Sequence, residues 1–227
     1  MDLPVHRRSA VRTERSNPAT VPGMTATLTP RGAATRARIV EAAAELIAVR
    51  GVAGTGLDDV RQATATSKSQ LYHYFQDKAD LVRAVIGYRR DIVLAEQQLT
   101  EDPLDSLAAL HRWRYRTVAA HRATGFARGC PLGRLATELV DADPQSRAAI
   151  ATALADWQQQ LADGLIGMVQ RGTLPPDADP EQLATGLLAA VQGGALLAAA
   201  TRSPKPLQTA LDLAIQQIAA LIGTVPE

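Results

Sequence analysis

Between Ser67 and Phe75 the sequence reads Ser-Lys-Ser-Gln-Leu-Tyr-His-Tyr-Phe and gathers three of the chain's eight aromatic residues beside cationic, amide and hydroxyl groups. Groups of this kind meet nucleic acid: a carboxamide donates and accepts together on an adenine edge, while phenol, imidazole and ammonium groups hold phosphate oxygens. A helix capped by Ser67 places Leu71 and Phe75 at i and i+4 on one face and leaves Ser69, Gln70, Tyr72 and His73 around the rest. The apolar pair anchors; the polar set reaches outward.

Such a surface works only if neighbouring elements hold it. Thr55 to Asp59 supplies an upstream helix start, with Thr55 as N-cap and Asp58 completing an approximate capping box, for a helix running to about Ala63. The residues around Thr64 to Thr66 then join two short helices in a helix-turn-helix, whose second helix enters the major groove. Asp77 caps a further helix from Lys78, where the partial positive charge and free amides of a helix start suit a phosphate. Upstream, Thr35 is expected to cap a helix carrying Ile39, Val40, Ala43, Leu46 and Ile47 at helical spacing, closed by Gly51 at a left-handed position. The alternative for the region is an ordinary helical hairpin whose Tyr and His cover a core.

In the order Thr35 to Ala43, Gly51, Thr55 to Val60, Ser67 to Phe75 and Asp77 to Leu81, these segments resemble the TetR-type transcriptional repressors over roughly residues 33–90. The resemblance implies a homodimeric regulator with one DNA-binding head per subunit and a larger helical domain that binds a small molecule. It implies Lys68, Gln70, Tyr72 and His73 as recognition-helix contacts and Lys78 as a phosphate contact, with Thr55, Ser67 and Ser69 in the same DNA-binding set. Gln70 is the expected base reader, and Tyr72, His73 and Lys78 position the head through phosphates. The sequence departs from the family at Ala65, where the turn generally has glycine. A non-glycine residue visits the left-handed region at a cost of about 1 kcal/mol or somewhat more, so a slightly shifted turn is expected.

The chain of 227 residues therefore reads as all-α: a tail at 1–30, a three-helix helix-turn-helix DNA-binding domain at 31–80, and a helical-bundle ligand-binding and dimerisation domain at 81–227. Net charge is +1, but residues 31–90 hold ten Lys or Arg against six Asp or Glu, and the residues after 90 hold ten against fifteen. A basic head on an acidic body places one end on DNA. The tail carries Arg7, Arg8, Arg12 and Arg15 among small and polar residues, a composition expected to be disordered. It fits a basic arm, a solvated tail, or upstream sequence ahead of a true start at Met24. No secretory h-region follows those arginines and no run of ~18 apolar residues occurs, so a cytoplasmic protein is expected.

Beyond the head, helices are expected from Asp77 to about Leu99, Leu104 to Ala120, Leu132 to Val140, Pro144 to Arg171, Glu181 to Thr201 and Leu207 to Ile222. Gly193 and Gly194 inside one of the last two point to close helix approach or a bend. The family resemblance implies that those two helices form a four-helix bundle across a dimer axis; the alternative is burial within the subunit. The segments Gly129 to Gly133, Ala190 to Gly194 and Ala200 to Leu207 resemble the ligand domain of the LmrA/YxaF-type subgroup, implying an apolar or aromatic effector. Pocket candidates are His111, Trp113, Tyr115, Phe126, Trp157, Met168 and Gln192, which combine apolar walls with polar handles.

Cys130 is the single cysteine, so no intrachain disulfide is possible; its place before Pro131 and a short helix suggests a lowered pKa, against the plainer reading of a small buried residue. The His residues show no metal-ligand spacing, and the chain calls for no cofactor. It has no nucleophile elbow, no phosphate-cradling glycine loop and no carboxylate pair set for a cleft, which argues against an enzyme. The expected function is a ligand-responsive repressor that binds a palindromic operator as a dimer. The alternative is a helical small-molecule-binding protein without specific DNA binding.

Overall fold

The computed structural model describes residues 28–97, 99 and 101–223. The basic tail and Met24 lie outside the described residues. Among the described residues the elements are all helical: α1 (Pro30–Arg50), α2 (Leu57–Thr64), α3 (Lys68–Tyr74), α4 (Lys78–Gln97), α5 (Leu107–Ala123), α6 (Pro131–Leu139), α7 (Pro144–Gln170), α8 (Pro180–Thr201) and α9 (Lys205–Ile222).

α1 starts earlier than Thr35. Thr29 Oγ1 accepts from the Gly32 N–H at 3.2 Å and Pro30 occupies the first turn, where its missing N–H costs nothing. Thr35 lies inside the helix and donates its hydroxyl to Arg31 O. Gly51 ends α1 at φ 75°, with its N–H on Ile47 O at 2.8 Å. The stripe Ile39, Val40, Ala43 and Ile47 is buried with Leu81, Val82, Val85 and Ile86 of α4 in one continuous core that runs on to Ile218 of α9.

α4 is the element shared by both ends of the molecule, since it packs on α1 and also on α7. Two ion pairs lock the body around it. Arg90 reaches Asp156 of α7 at 3.1 Å, and Arg114 of α5 grips both carboxylate oxygens of Asp212 in α9 at 2.8 and 2.7 Å.

α8 and α9 form an antiparallel hairpin whose two glycines do different work. A Cβ on Gly194 would lie 2.8 Å from Leu207 Cα, so this glycine permits close approach of α9, whereas a Cβ on Gly193 would meet nothing within 4 Å. α8 corrects one sequence expectation: by length and composition it is apolar enough to cross a membrane, with a mean hydropathy of 1.7 over its best window. In the fold α7 and α9 cover one side of it.

Asp102, between α4 and α5, accepts from Arg112 Nη2 and Arg116 Nη1 at 2.6 Å each, and these hydrogen bonds hold its carboxyl well below the usual carboxylate range. A depressed folded-state pKa contributes stability above the unfolded value of about 4, and that contribution is lost as pH falls toward the folded value. The Asp102 side chain is 28% exposed, so solvent screens the cluster and its effect is modest. Asp102→Asn is expected to unfold at lower urea than the parent at pH 7, with the gap narrowing from pH 4 to pH 2. Urea titrations followed by helicity check this; a gap independent of pH contradicts the pairing.

Candidate nucleic-acid interface

α3 begins with a reciprocal cap. Ser67 Oγ accepts from the Gln70 N–H and the Gln70 carboxamide Oε1 accepts from the Ser67 N–H, both at 3.1 Å. Leu71 and Phe75 are buried, and Ser67, Lys68, Ser69, Gln70, Tyr72 and His73 are exposed, so the two faces divide as their spacing requires. Arg36 of α1 sits 5.1 Å from the Phe75 ring centre, Lys68 Nζ lies 5.9 Å from that of Tyr72, and His73 meets Tyr74 edge-on at 5.0 Å. Gln70 Oε1 spends one of its two lone pairs on the cap, which leaves the other and the NH2 group for a base edge.

The turn before α3 shows how the chain manages without glycine. Ala65 itself adopts the left-handed conformation, φ 52° and ψ 31°, and its N–H and that of Thr66 turn back to Gln62 O and Arg61 O. Thr64 and Thr66 are buried on either side and share a 2.6 Å hydroxyl hydrogen bond, with Thr64 also donating to Val60 O. Local bonds of this kind hold a strained residue in place. The turn therefore keeps its left-handed residue and carries the cost.

Two sequence expectations are corrected at the neighbouring helix starts. Gly56, not Thr55, is the N-cap of α2: Thr55 is buried and spends its hydroxyl on Gly51 O at 2.9 Å. Asp59, not Asp58, accepts the Gly56 N–H at 2.8 Å, while Asp58 pairs with Arg61. At α4 the expected cap holds, since Asp77 Oδ1 accepts from the Asp80 N–H at 2.7 Å. That carboxylate already serves one amide of the terminus, which leaves half-buried Lys78, its Nζ 3.4 Å from Ala53 O, as the cationic group there.

A capped short helix, a left-handed turn and a second capped helix with an outward polar face form a helix-turn-helix. Residues 39–85 match the family described as bacterial regulatory proteins, tetR family, and residues 103–214 match the tetracyclin repressor-like C-terminal domain. The transcriptional regulator AcuR of Cereibacter sphaeroides is 30% identical over 173 residues, which cover 75% of this chain and 79% of AcuR. The chain belongs to the TetR family. LmrA of Bacillus subtilis is 24% identical over 177 residues, covering 76% of this chain and 90% of LmrA. The crystal structure of a TetR regulatory protein from Rhodobacter sphaeroides matches with a TM-score of 0.67 at 26% identity, over 80% of this chain and 97% of that one. TetR-family proteins are transcriptional regulators rather than enzymes; they bind operator DNA and act as dimers.

In this TetR-family chain the residues expected to line a pocket do not converge. Trp113, Trp157 and Met168 are sealed in the core, although Trp157 Nε1 is a buried donor without a partner among the described atoms. Phe126 is buried at a left-handed turn after α5, with φ 55°. His111 and Tyr115 face solvent, Tyr115 at 72% exposure. Gln192 lines a hollow of about 470 Å³ beside Cys130, Gly133 and Leu196. A second cavity of about 400 Å³ lies between α1, α4, α5 and α6 and is lined by residues the sequence did not single out, His121, Arg128, Arg134 and Glu138 among them. Arg134 and Glu138, an i,i+4 pair on α6, were the one local signal.

Cys130 caps α6 by its backbone position and is 5% exposed. Burial pushes its thiol up, against the expectation from a helix N-terminus, because desolvation of the thiolate outweighs the hydrogen bonds from Gly133 and from Gln192 Nε2 at 3.4 Å.

Proposed function

We propose that this TetR-family protein is a repressor that binds a palindromic operator as an unliganded dimer and is released by a small apolar or aromatic effector. The observation that carries the reading is the exposed set Lys68, Ser69, Gln70, Tyr72 and His73 on a helix that Leu71 and Phe75 fix to the core. Gln70 reads a base, Ser67, Tyr72, His73 and Lys78 hold phosphates, and buried Thr55 supports them from within. Ligand binding in the body shifts α4 and with it the spacing of the two heads. A coupling of about 1–3 kcal/mol weakens operator binding by about 5- to 150-fold. Such a regulator works in the cytoplasm, where its operator lies.

The dimer forms through α8 and α9. Leu196 and Leu197 are 68% and 56% exposed and share an outer face with Ala189, Gly193 and Ala200, while Leu213 of α9 is 62% exposed. Small residues flanking large apolar ones let a partner helix approach closely. Leu197→Glu combined with Leu213→Glu is expected to convert the dimer to monomer, because burying unpaired carboxylates is costly. Analytical ultracentrifugation at micromolar concentration checks this, and a variant that sediments with the parent would move the interface elsewhere.

The repressor reading is tested by titrating the full chain against DNA from upstream of its own coding sequence. One dimer per palindromic segment, with affinity that falls as salt rises, is expected. Binding that is equal on scrambled DNA would remove it.

A further inference from the structure

The turn that enters α3 holds two threonines whose hydroxyls the DNA-facing surface does not use. Thr64 and Thr66 are 7% and 4% exposed, so neither side chain reaches into a groove. Thr64 Oγ1 directs its one proton to carbonyls of α2, Val60 O at 2.8 Å and Arg61 O at 3.4 Å. In the 2.6 Å contact between the two hydroxyls Thr64 is therefore the acceptor and Thr66 Oγ1 the donor. The result is a buried relay from Thr66 through Thr64 to Val60 O, which joins α2 to the residue immediately before the Ser67 N-cap of α3. A hydroxyl that donates and accepts together strengthens both of its bonds.

The backbone bonds across the same turn are longer. The Ala65 N–H reaches Gln62 O at 3.3 Å and the Thr66 N–H reaches Arg61 O at 3.2 Å, at the long end of the hydrogen-bond range. Between the threonines Ala65 holds φ 52°, a conformation that a residue with a Cβ resists. α3 has seven residues and two core anchors, Leu71 at its middle and Phe75 just past its end. Its first turn, which carries Lys68, Ser69 and Gln70, therefore points where residues 64–66 aim it. Base-edge hydrogen bonds depend on that aim, whereas the attraction of cations to phosphates tolerates a tilted helix.

We propose that Thr64 and Thr66 are positioning residues for operator recognition, whose hydroxyl relay holds Ala65 left-handed and so sets the angle at which the first turn of α3 meets the bases. Glycine adopts that conformation freely, so the two hydroxyls take over a task that glycine performs without partners. The proposal rests on the DNA-binding reading above and goes beyond it by naming residues that govern sequence discrimination without touching DNA.

The test compares binding of the full chain to operator and to scrambled duplexes by fluorescence anisotropy. Thr64→Val combined with Thr66→Val removes both hydroxyls together and leaves no buried donor unpaired, so the fold persists. One such bond is worth about five-fold in the population of the competent turn, and a dimer has two turns, so operator affinity should fall by about 25-fold. Affinity for scrambled DNA and the slope of log affinity against log salt should stay at the parent's values, since no cation is removed. Adding Ala65→Gly to the pair should restore discrimination, a rescue that neither a direct contact nor a purely structural role of the threonines predicts. Discrimination by the double variant equal to the parent's, or a triple variant that stays as weak as the double, would overturn the proposal. If the double variant does not fold, Thr66→Ser against Thr66→Val decides with one hydroxyl: serine keeps the parent's discrimination and valine lowers it, and equal values overturn the relay. A parent with no preference for any upstream segment would remove the repressor reading instead. Amide exchange in the free protein then judges the relay: exchange at Gln70 and Leu71 should quicken in the double valine variant and slow again with Ala65→Gly, and unchanged exchange overturns it.

Discussion

Tyr72→Ala combined with Lys78→Ala should reduce operator affinity by about 10³-fold while leaving the head folded. Each dimer carries both residues twice, so four contacts are lost. At about 1–1.5 kcal/mol for each phosphate contact, the total is about 4–6 kcal/mol, of which the lower end already gives that factor. Loss of two ammonium groups also lowers the slope of log affinity against log salt by about 2. The fold should tolerate the change because the core side of α3 is Leu71 and Phe75, whereas Tyr72 is 47% exposed. Lys78 gives up one long contact to Ala53 O at 3.4 Å. Circular dichroism and gel-shift titrations at two salt concentrations separate the outcomes. Unchanged affinity in a fully helical variant would remove Tyr72 and Lys78 from the interface.

What the sequence revealed of this site and what it concealed divide by the range of the interactions. The Ser67 and Asp77 caps and the two faces of α3 depend on residues three or four positions apart, and spacing alone locates them. The head's other helix starts were misplaced by one to six residues because several hydroxyls compete for a cap. Thr29 wins over Thr35, and Thr55 is drawn away by Gly51 O, leaving Gly56 to start α2. Ala65 shows that a rule about glycine describes a cost and not a prohibition, once Thr64 and Thr66 fix the turn from both sides. The cavity left no local trace beyond the Arg134 and Glu138 spacing, because its walls come from positions as far apart as Ala44 and Glu138. Aromatic and long side chains at helical spacing, such as Trp113 and Met168, proved to be core filling. The Cys130 thiol went the other way from expectation because local sequence shows a helix start but not the burial that outweighs it.

Gly164→Ala should destabilise the protein by about 2 kcal/mol, and it tests the least forgiving contact in the body. Gly164 lies buried in the middle of α7, where intrinsic preference alone favours alanine by about 1 kcal/mol. Sterics oppose it: a Cβ there would sit 2.5 Å from Leu104 N and 2.8 Å from Leu104 Cα and C. Leu104 is fully buried, and the atoms in the way are backbone, which has no rotamer to change. Overpacking costs about 1–3 kcal/mol and occasionally more; against backbone that cannot turn aside the upper end applies, about 3 kcal/mol, which leaves about 2 kcal/mol after the gain in propensity. Relief requires the segment entering α5 to move, and that segment includes Asp102 with its grip on Arg112 and Arg116. Gly87→Ala in α4 is the matched control, because a Cβ there meets nothing within 4 Å and only the propensity term acts. Urea unfolding should therefore move in opposite directions for the two substitutions, Gly164→Ala down and Gly87→Ala up by about 1 kcal/mol. If both stabilise, α7 and the α4–α5 connection are not in backbone contact, and the core that positions α4 beneath the DNA-binding head must be packed differently.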